Sequence, residues 1–327
     1  MKHWSPAELA TLRRLRGGFL HGTAGERDYW HSPEDLALYD STFAERIGWK
    51  WDAVLRELVH RGWKPESRQV LDWGCGSGVA SRRVFAQWPG FESLTLHDRS
   101  AAAMEFAAER ARHDLPAVEL RRGEEVREGT LLILSHVLNE LSDEARDRLL
   151  ELTRSADEIL WVESGTHANS RRLIEVREAL RSDFRVVAPC THQAECGLLT
   201  PDNGQHWCHH FAPPAPEAFQ DARWAEFGRE LEIDLRSVPY SFLVLDRRQA
   251  QPAAPPGFSR IIGTPRDSKG YSRVLSSQES GVSDLVLQKR DAPELLKTIK
   301  KGRELPIYRW VTEKGRIVGG EPLPPAS

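Results

Sequence analysis

A glycine-rich turn at residues 70–78 constrains the fold of this chain more than any other feature. A short apolar run, Val70–Trp73, leads into Gly-Cys-Gly-Ser-Gly, and a helical pattern follows. Gly74 and Gly76 permit backbone conformations that other residues avoid, and they let a ligand approach the main chain closely. Open α/β sheets bind their ligands at the carboxyl ends of such strands. The turn therefore predicts a strand–turn–helix unit with a ligand site.

Short apolar runs alternate with helical stretches over the middle of the chain, which predicts an α/β fold with a mainly parallel sheet covered by helices on both faces. The predicted strands lie at 70–73, 94–97, 131–134, 159–162, 184–187 and 242–245. The predicted helices lie near 79–88, 101–113, 143–153 and 170–181. An earlier amphipathic helix is marked by Phe43, Ile47, Trp51, Leu55, Leu58 and Val59.

The charge of the chain is divided unevenly. Thirteen Lys and Arg face seven Asp and Glu between Gly257 and Val318, whereas the whole chain has a formal net charge of −3. A Pro/Ala stretch, 251–257, precedes this basic segment and predicts a linker. We therefore expect an N-terminal helical region at 1–66, a catalytic-type domain at 67–249 and a basic C-terminal extension at 257–318, which favours anionic partners.

An acid follows the second predicted strand. Asp98 stands 26 residues after Asp72, and a carboxylate there can accept hydrogen bonds from both hydroxyls of a ribose. The dinucleotide fingerprint requires Gly or Ala where this chain has Val79, and no P-loop motif occurs. The plainer alternative is a tight turn without a ligand.

Asp-x-Gly-x-Gly-x-Gly with this acid resembles the class I S-adenosylmethionine-dependent methyltransferases, which have a Rossmann-like seven-stranded sheet. The resemblance implies an antiparallel last strand at 240–245. It also implies S-adenosylmethionine as the cofactor, held by Asp72, Gly74, Cys75, Gly76, Gly78, Asp98 and Ser135. His136 follows the fourth predicted strand and is a candidate catalytic base, although a histidine there is more often a polar rim residue.

Three of the four cysteines fall within 19 residues, in an insert at 188–214. Cys190, Cys196 and Cys208 stand among several histidines, and thiolates at short spacing suit zinc or an iron–sulfur cluster. The spacing is not the paired C-x2-C of zinc fingers. Buried structural cysteines are the alternative.

Together, five segments resemble the methyltransferase-like proteins of the small ribosomal subunit in mitochondria and bacteria. These are the glycine turn, residues 135–141, the cysteine insert and, nearer the C-terminus, two segments at 239–245 and at the basic residues 265–271. The resemblance implies association with the small subunit or its rRNA during assembly, and a 4Fe-4S cluster held by four cysteines.

When the family's ligand positions are transferred to this chain, the resemblance implies that Cys190, Cys196 and Cys208 are three of the cluster ligands. The fourth family cysteine falls at Ser277, so the fourth ligand is open. The candidates are His206, His209 and His210, with zinc as the alternative metal.

Basic residues in the C-terminal segment predict contacts to RNA phosphates. The candidates are Arg260, Arg266, Lys269 and Arg273. Two other functions stay open: a non-catalytic RNA-binding assembly factor, and a small-molecule methyltransferase with a structural metal. We expect no membrane or DNA partner. The sparse cysteines and the polar N-terminus predict a cytoplasmic location.

Overall fold

A computed structural model describes residues 3–20, 30–248, 254–302 and 305–326. Residues 251–253 of the predicted linker lie outside these ranges. The chain forms two compact units. The first contains Met1–Leu55, Pro65–Glu163 and Phe211–Tyr240, and the second contains Arg56–Lys64, Ser164–His210 and Ser241–Ser327. Within the described ranges, every helix is too short or too polar to cross a membrane.

The N-terminal region is helical; it belongs to the first unit up to Leu55, and Arg56–Lys64 belongs to the second. Its helices are α1 (Pro6–Leu20), α2 (Pro33–Tyr39) and α3 (Glu45–His60), with a π-helical turn at Asp40–Ala44 before α3. Leu12, Leu15 and Phe43 pack with Phe227 of α8 (Ala222–Glu230) in one apolar cluster. Val59, predicted for the buried face of α3, is 47% exposed.

The first unit carries five parallel strands in the order β3-β2-β1-β4-β5. Buried Val, Leu and Ile fill β1 and β4, as expected for strands covered on both faces. The strands are β1 (Gln69–Trp73), β2 (Ser93–His97), β3 (Glu119–Arg122), β4 (Thr130–Ser135) and β5 (Glu158–Ser164). The connecting helices are α4 (Val79–Gln87), α5 (Ala101–Asp114) and α6 (Asp143–Thr153).

The last strand of the methyltransferase-type domain is β8 (Val238–Asp246), which begins in the first unit and ends in the second. Within the second unit it runs antiparallel to β6 (Arg185–Ala188). This unit also contains α7 (His167–Leu180), and the short strand β7 (His210–Ala212) starts there. The parallel order 3-2-1-4-5 with a final antiparallel strand is the class I methyltransferase fold, so the predicted fold class is confirmed.

The basic C-terminal segment folds into a closed barrel of five strands with one helix. Its elements are β9 (Phe258–Ser268), β10 (Tyr271–Gln278), β11 (Gly281–Gln288), α9 (Pro293–Lys301), β12 (Ile307–Glu313) and β13 (Arg316–Pro322). Val274, Leu287 and Ile317 fill the barrel, and Leu296 and Ile299 of α9 pack onto that core. The segment is thus a folded part of the second unit.

Candidate functional site

A cavity of about 390 Å³ opens at the carboxyl ends of β1, β2 and β4 in the first unit. This volume lies within the range of small-molecule sites. Five of the residues predicted from sequence line it: Gly74, Gly76, Asp98, Ser135 and His136. Aromatic side chains from the N-terminal region also line the cavity, and charged and polar residues such as Arg46, Arg99 and Glu140 make up about half of its lining.

The Asp98 carboxylate lies against the glycine turn. Its Oδ2 accepts a hydrogen bond from the Gly76 N–H at 2.9 Å, and its Oδ1 accepts one from the Ser100 N–H at 2.9 Å. The Gly74 N–H donates to the His97 carbonyl at 2.8 Å, which fastens the end of β1 to the end of β2. Each carboxylate oxygen retains acceptor capacity, so a fixed carboxylate faces the cavity with room for two hydroxyl donors.

The glycines of the turn have different structural roles. All three have positive φ, +72° at Gly74, +51° at Gly76 and +75° at Gly78. A Cβ on Gly74 would lie 2.6 Å from Cγ1 of Val137, so that glycine is needed for packing. A Cβ on Gly76 would meet no protein atom within 4 Å, so the absent side chain leaves open space beside Asp98. This cradle fits a ligand that lies on the main chain.

Three predicted cofactor contacts are not among the lining residues of the cavity. Asp72 is fully buried within β1, and Cys75 is 5% exposed. Gly78 precedes α4 and lies against Ala107 of α5. Burial in the sheet and in the helix packing keeps these residues from the cavity surface, so they support the turn.

Asp72 has a fully buried carboxylate beside Ser81 of α4. Burial raises the pKa of Asp72 from 3.8 to about 6. The folded protein therefore binds a proton at the Asp72 carboxylate more tightly than the unfolded chain does. The stability that this proton contributes is complete below pH 4 and is lost as the pH rises through 6.

We expect Asp72→Asn to remove this dependence of the free energy of unfolding on pH. The dependence is on the order of 3 kcal/mol, because a pKa difference of one unit contributes about 1.4 kcal/mol. Urea unfolding at a series of pH values between 4 and 7 measures it. Asp143→Asn is the control, because that side chain is 80% exposed. If the free energy of unfolding changes with pH equally in Asp72→Asn and in the wild type, this carboxylate does not titrate abnormally.

Lys50 and His136 lie at the cavity wall, and the fully buried Glu163 interacts electrostatically with Lys50. Lys50 Nζ is 3.1 Å from His136 Nε2, and both side chains line the cavity. Burial, with the nearby Arg46, lowers the pKa of Lys50 to about 7. Burial, with Lys50, lowers the pKa of His136 well below 6.5. Near neutral pH the His136 ring is therefore uncharged, and Lys50 is the member of the pair that gains or loses a proton.

Glu163 supports the segment that carries His136. Its Oε1 accepts hydrogen bonds from the backbone N–H of Val137 and Leu138, at 3.0 and 3.1 Å, and from Nε1 of Trp161. Burial raises the pKa of Glu163 to about 7. The loop after β4 is thus held by a buried carboxyl.

Sequence reasoning missed Lys50 and Glu163. Lys50 stands three residues after Ile47, on the apolar face predicted for the helix, and a charged residue on such a face was the available signal. Glu163 ends an apolar run and has no distinguishing neighbour in sequence.

The cysteine insert in the second unit brings its three cysteines together. Burial, and then the neighbouring Cys190, raises the pKa of Cys196 to about 11. Burial raises the pKa of Cys208 as well, and both other thiols raise it further. Cys196 and Cys208 share an apolar cluster with Val282, which pairs with Ser277 across β10 and β11. Ser277, where the resemblance places the fourth cysteine ligand, therefore lies beside the cysteines.

The three candidate histidines differ in their surroundings. Nε2 of His210 lies 3.6 Å from Sγ of Cys208, and His210 is 5% exposed. The His209 ring stacks on Trp207 with centroids 4.6 Å apart. The His206 N–H bonds the carbonyl of Asn203. Within the described ranges, no three His, Cys, Asp or Glu residues are arranged around one metal ion. His210 is the histidine that contacts a cysteine.

The prediction that Arg260 contacts an RNA phosphate is wrong, because its side chain is buried. Its side chain is 2% exposed and pairs with Glu57 through two bonds of 2.5 and 2.8 Å. Arg61 binds the same carboxylate at 2.7 Å and is fully buried. Arg260 is thus part of a buried ion-pair network, while Arg266, Lys269 and Arg273 are exposed on the barrel.

Residues 46–304 match the family model described as mitochondrial small ribosomal subunit Rsm22. No curated protein matches the chain.

Solved structures resemble the chain at low sequence identity. A Thermoplasma acidophilum protein is 13% identical with a TM-score of 0.36, and the match covers 67% of this chain and 98% of that chain. A SAM-dependent methyltransferase from Aquifex aeolicus is 18% identical with a TM-score of 0.35, covering 50% and 93%. Mitomycin 7-O-methyltransferase is 19% identical with a TM-score of 0.38, covering 55% and 64%.

Proposed function

Because the chain belongs to the Rsm22 family of the mitochondrial small ribosomal subunit, we propose that it is an S-adenosylmethionine-dependent methyltransferase that acts on, or binds, small-subunit rRNA. Its cofactor site is the cavity at the glycine turn. The observation that carries this proposal is the Asp98 carboxylate, held beside the open space at Gly76 by two backbone N–H groups.

The residues of the cavity fit a nucleoside ligand. Asp98 is placed to accept the two ribose hydroxyls, and the main chain at Gly76 provides a surface without a side chain. Tyr39 and Phe43 line the same cavity and would shield part of a bound ligand from water. When bound, S-adenosylmethionine supplies a methyl group to a nucleophile that the protein has only to position.

Lys50, which contacts His136 and titrates near neutral pH, is the candidate to accept a proton released during such a transfer. The same contact also favours a second function, a non-catalytic assembly factor that keeps the fold, because Lys50 occupies the Nε2 side of the His136 ring. A methyl-transfer assay with tritiated S-adenosylmethionine and immature small subunits separates the two. Incorporation into RNA supports the enzyme, whereas cofactor binding without incorporation supports the assembly factor.

We also propose that Cys190, Cys196 and Cys208 hold a 4Fe-4S cluster, with His210 as the candidate fourth ligand and zinc as the alternative metal. The Cys208 thiol interacts with the thiols of Cys190 and Cys196, and the nearby Arg260 and Arg177 offset part of the rise in its pKa. The raised pKa values of Cys196 and Cys208 mean that metal binding there must displace protons. Because each thiolate of such a cluster binds a different iron, the ligands need not meet at one point.

We expect anaerobically purified protein to contain iron and to absorb broadly in the visible range, and Cys208→Ser to lose both properties. Cys75→Ser is the matched control, because Cys75 lies in the glycine turn of the first unit. Zinc in place of iron would identify the alternative metal. Trace amounts of both in wild-type protein would contradict the site.

The family description names the mitochondrial small subunit, so a cytoplasmic location stays a prediction. Fractionation with an antibody against the native protein would test it.

A further inference from the structure

The C-terminal barrel has a specific connectivity. Its strands follow the closed order β10-β11-β13-β12-β9, β11 and β13 are parallel, and the other pairs are antiparallel. The helix α9 connects the third strand to the fourth. A five-stranded Greek-key barrel of this kind is an OB-fold, whose second and third strands and neighbouring loops form the usual surface for oligonucleotides.

The outer surface of β10 is divided in two. Ser272, Val274 and Ser276 point into the barrel, so the alternate residues face outward. At one end of the strand, the outward Leu275 packs against the apolar cluster of Cys196. At the other end, Tyr271 is 39% exposed. The free half of the surface therefore lies at the start of β10.

Basic groups surround this aromatic ring. Arg266 of β9 lies directly across from Arg273 of β10, and Lys269 belongs to the two-residue turn between the strands. Both arginines pair with one carboxylate, Asp284, and the bonds from Arg273 measure 2.6 and 3.0 Å. The group keeps a net positive charge, and such exposed ion pairs are weak enough for a phosphate to compete.

We propose that this surface, formed by Arg266, Lys269, Tyr271 and Arg273, binds single-stranded RNA. The cations contact phosphates, and the ring of Tyr271 stacks on a base, which is the combination that single-strand-binding OB-folds use. The inference rests on the proposed association with rRNA for the identity of the anionic partner. Since half of the strand surface is covered, the footprint is at the short end of the range of about 4–16 nucleotides per OB-fold.

The test uses the full chain and a fluorescein-labelled single-stranded oligouridylate of about 12 nucleotides. We expect the double variant Lys269→Ala with Arg273→Ala to bind the probe on the order of tenfold more weakly. The slope of the logarithm of the binding constant against the logarithm of salt concentration should fall by about 1.4, at about 0.7 per phosphate contact. We expect Tyr271→Ala to weaken binding about 5- to 150-fold, whereas Tyr271→Phe keeps the stacking ring. Thermal melting of each variant confirms that the barrel stays folded.

A charge-matched control is available on α9. Lys297→Ala with Lys301→Ala removes two exposed lysines of the same barrel, four positions apart on the helix. If both double variants lose the same affinity for the probe, only net charge matters, and this result would overturn the proposal. Unchanged binding of the probe to the Lys269/Arg273 variant would overturn it as well.

Binding to purified small ribosomal subunits separates this inference from the proposed function. If the wild type binds subunits and the Lys269/Arg273 variant binds them equally well, the surface is wrong and the association stands. If the wild type binds the probe through this surface but does not bind subunits, the surface stands and the proposed function is wrong. If the variant loses subunit binding but keeps probe binding, the surface contacts a protein and the RNA proposal is overturned.

Discussion

Asp98→Ala is expected to weaken S-adenosylmethionine binding by at least about 100-fold. Two ribose hydroxyls would lose a charged acceptor, and each such hydrogen bond contributes about 1.5–3 kcal/mol. The Gly76 N–H would lose its acceptor as well, so the turn would be less ordered. Isothermal titration calorimetry of wild type and variant measures the change directly.

Asp98→Asn separates the two effects. Its amide oxygen can still accept the Gly76 N–H, whereas the negative charge toward the ribose is gone, so we expect an intermediate affinity. Thermal melting without ligand shows whether either variant damages the fold. Wild-type affinity in Asp98→Ala, with an unchanged melting temperature, would place the ligand elsewhere.

Glu57→Gln is expected to lower the free energy of unfolding by about 3–5 kcal/mol, the usual cost of leaving buried charges unpaired. The Glu57 carboxylate is 2% exposed and is shared by Arg61 and Arg260, whose guanidinium groups are also buried. The neutral amide would leave both cations without a counter-ion. Urea unfolding followed by tryptophan fluorescence gives the difference.

Two variants sharpen this measurement. Glu294→Gln is the surface control, because its side chain is 84% exposed and pairs only weakly with Lys297 at 3.4 Å. We expect it to change stability by less than about 1 kcal/mol. Arg260→Met should cost less than Glu57→Gln, since Arg61 still pairs with the carboxylate. Equal stabilities of Glu57→Gln and wild type would mean that the network does not stabilise the second unit.

The sheet was predictable because its signals are local. Continuous apolar runs mark β1 and β4, and the glycines mark the turn, so the position of Asp98 follows from spacing alone. The short β3, Glu119–Arg122, was missed because its residues are charged. Periodicity therefore identifies the buried strands and not the edge strand.

The barrel and the burial of Arg260 were missed for different physical reasons. Small side chains such as Ser272 and Ser276 occupy interior positions of β10, so the strand lacks an alternation of apolar and polar residues. The role of Arg260 depends on Glu57, which stands 203 positions away in the sequence. A basic segment alone does not show which of its charges are buried.

The cavity was predicted only in part. Gly74, Gly76 and Asp98 belong to one local motif, whereas Lys50 reaches His136 from a helix 86 positions earlier. Asp72 and Cys75 belong to the same motif as the glycines but lie within the packed interior. Spacing shows which residues are near the turn, and only packing decides which of them face the ligand.

A crystal structure of the protein with bound S-adenosylhomocysteine tests the central claim most directly. We expect electron density for the nucleoside in the cavity at β1, β2 and β4, with both ribose hydroxyls within hydrogen-bonding distance of the Asp98 carboxylate. Density at another place, or a cavity filled by side chains at saturating ligand, would contradict the assignment of this turn as a cofactor site.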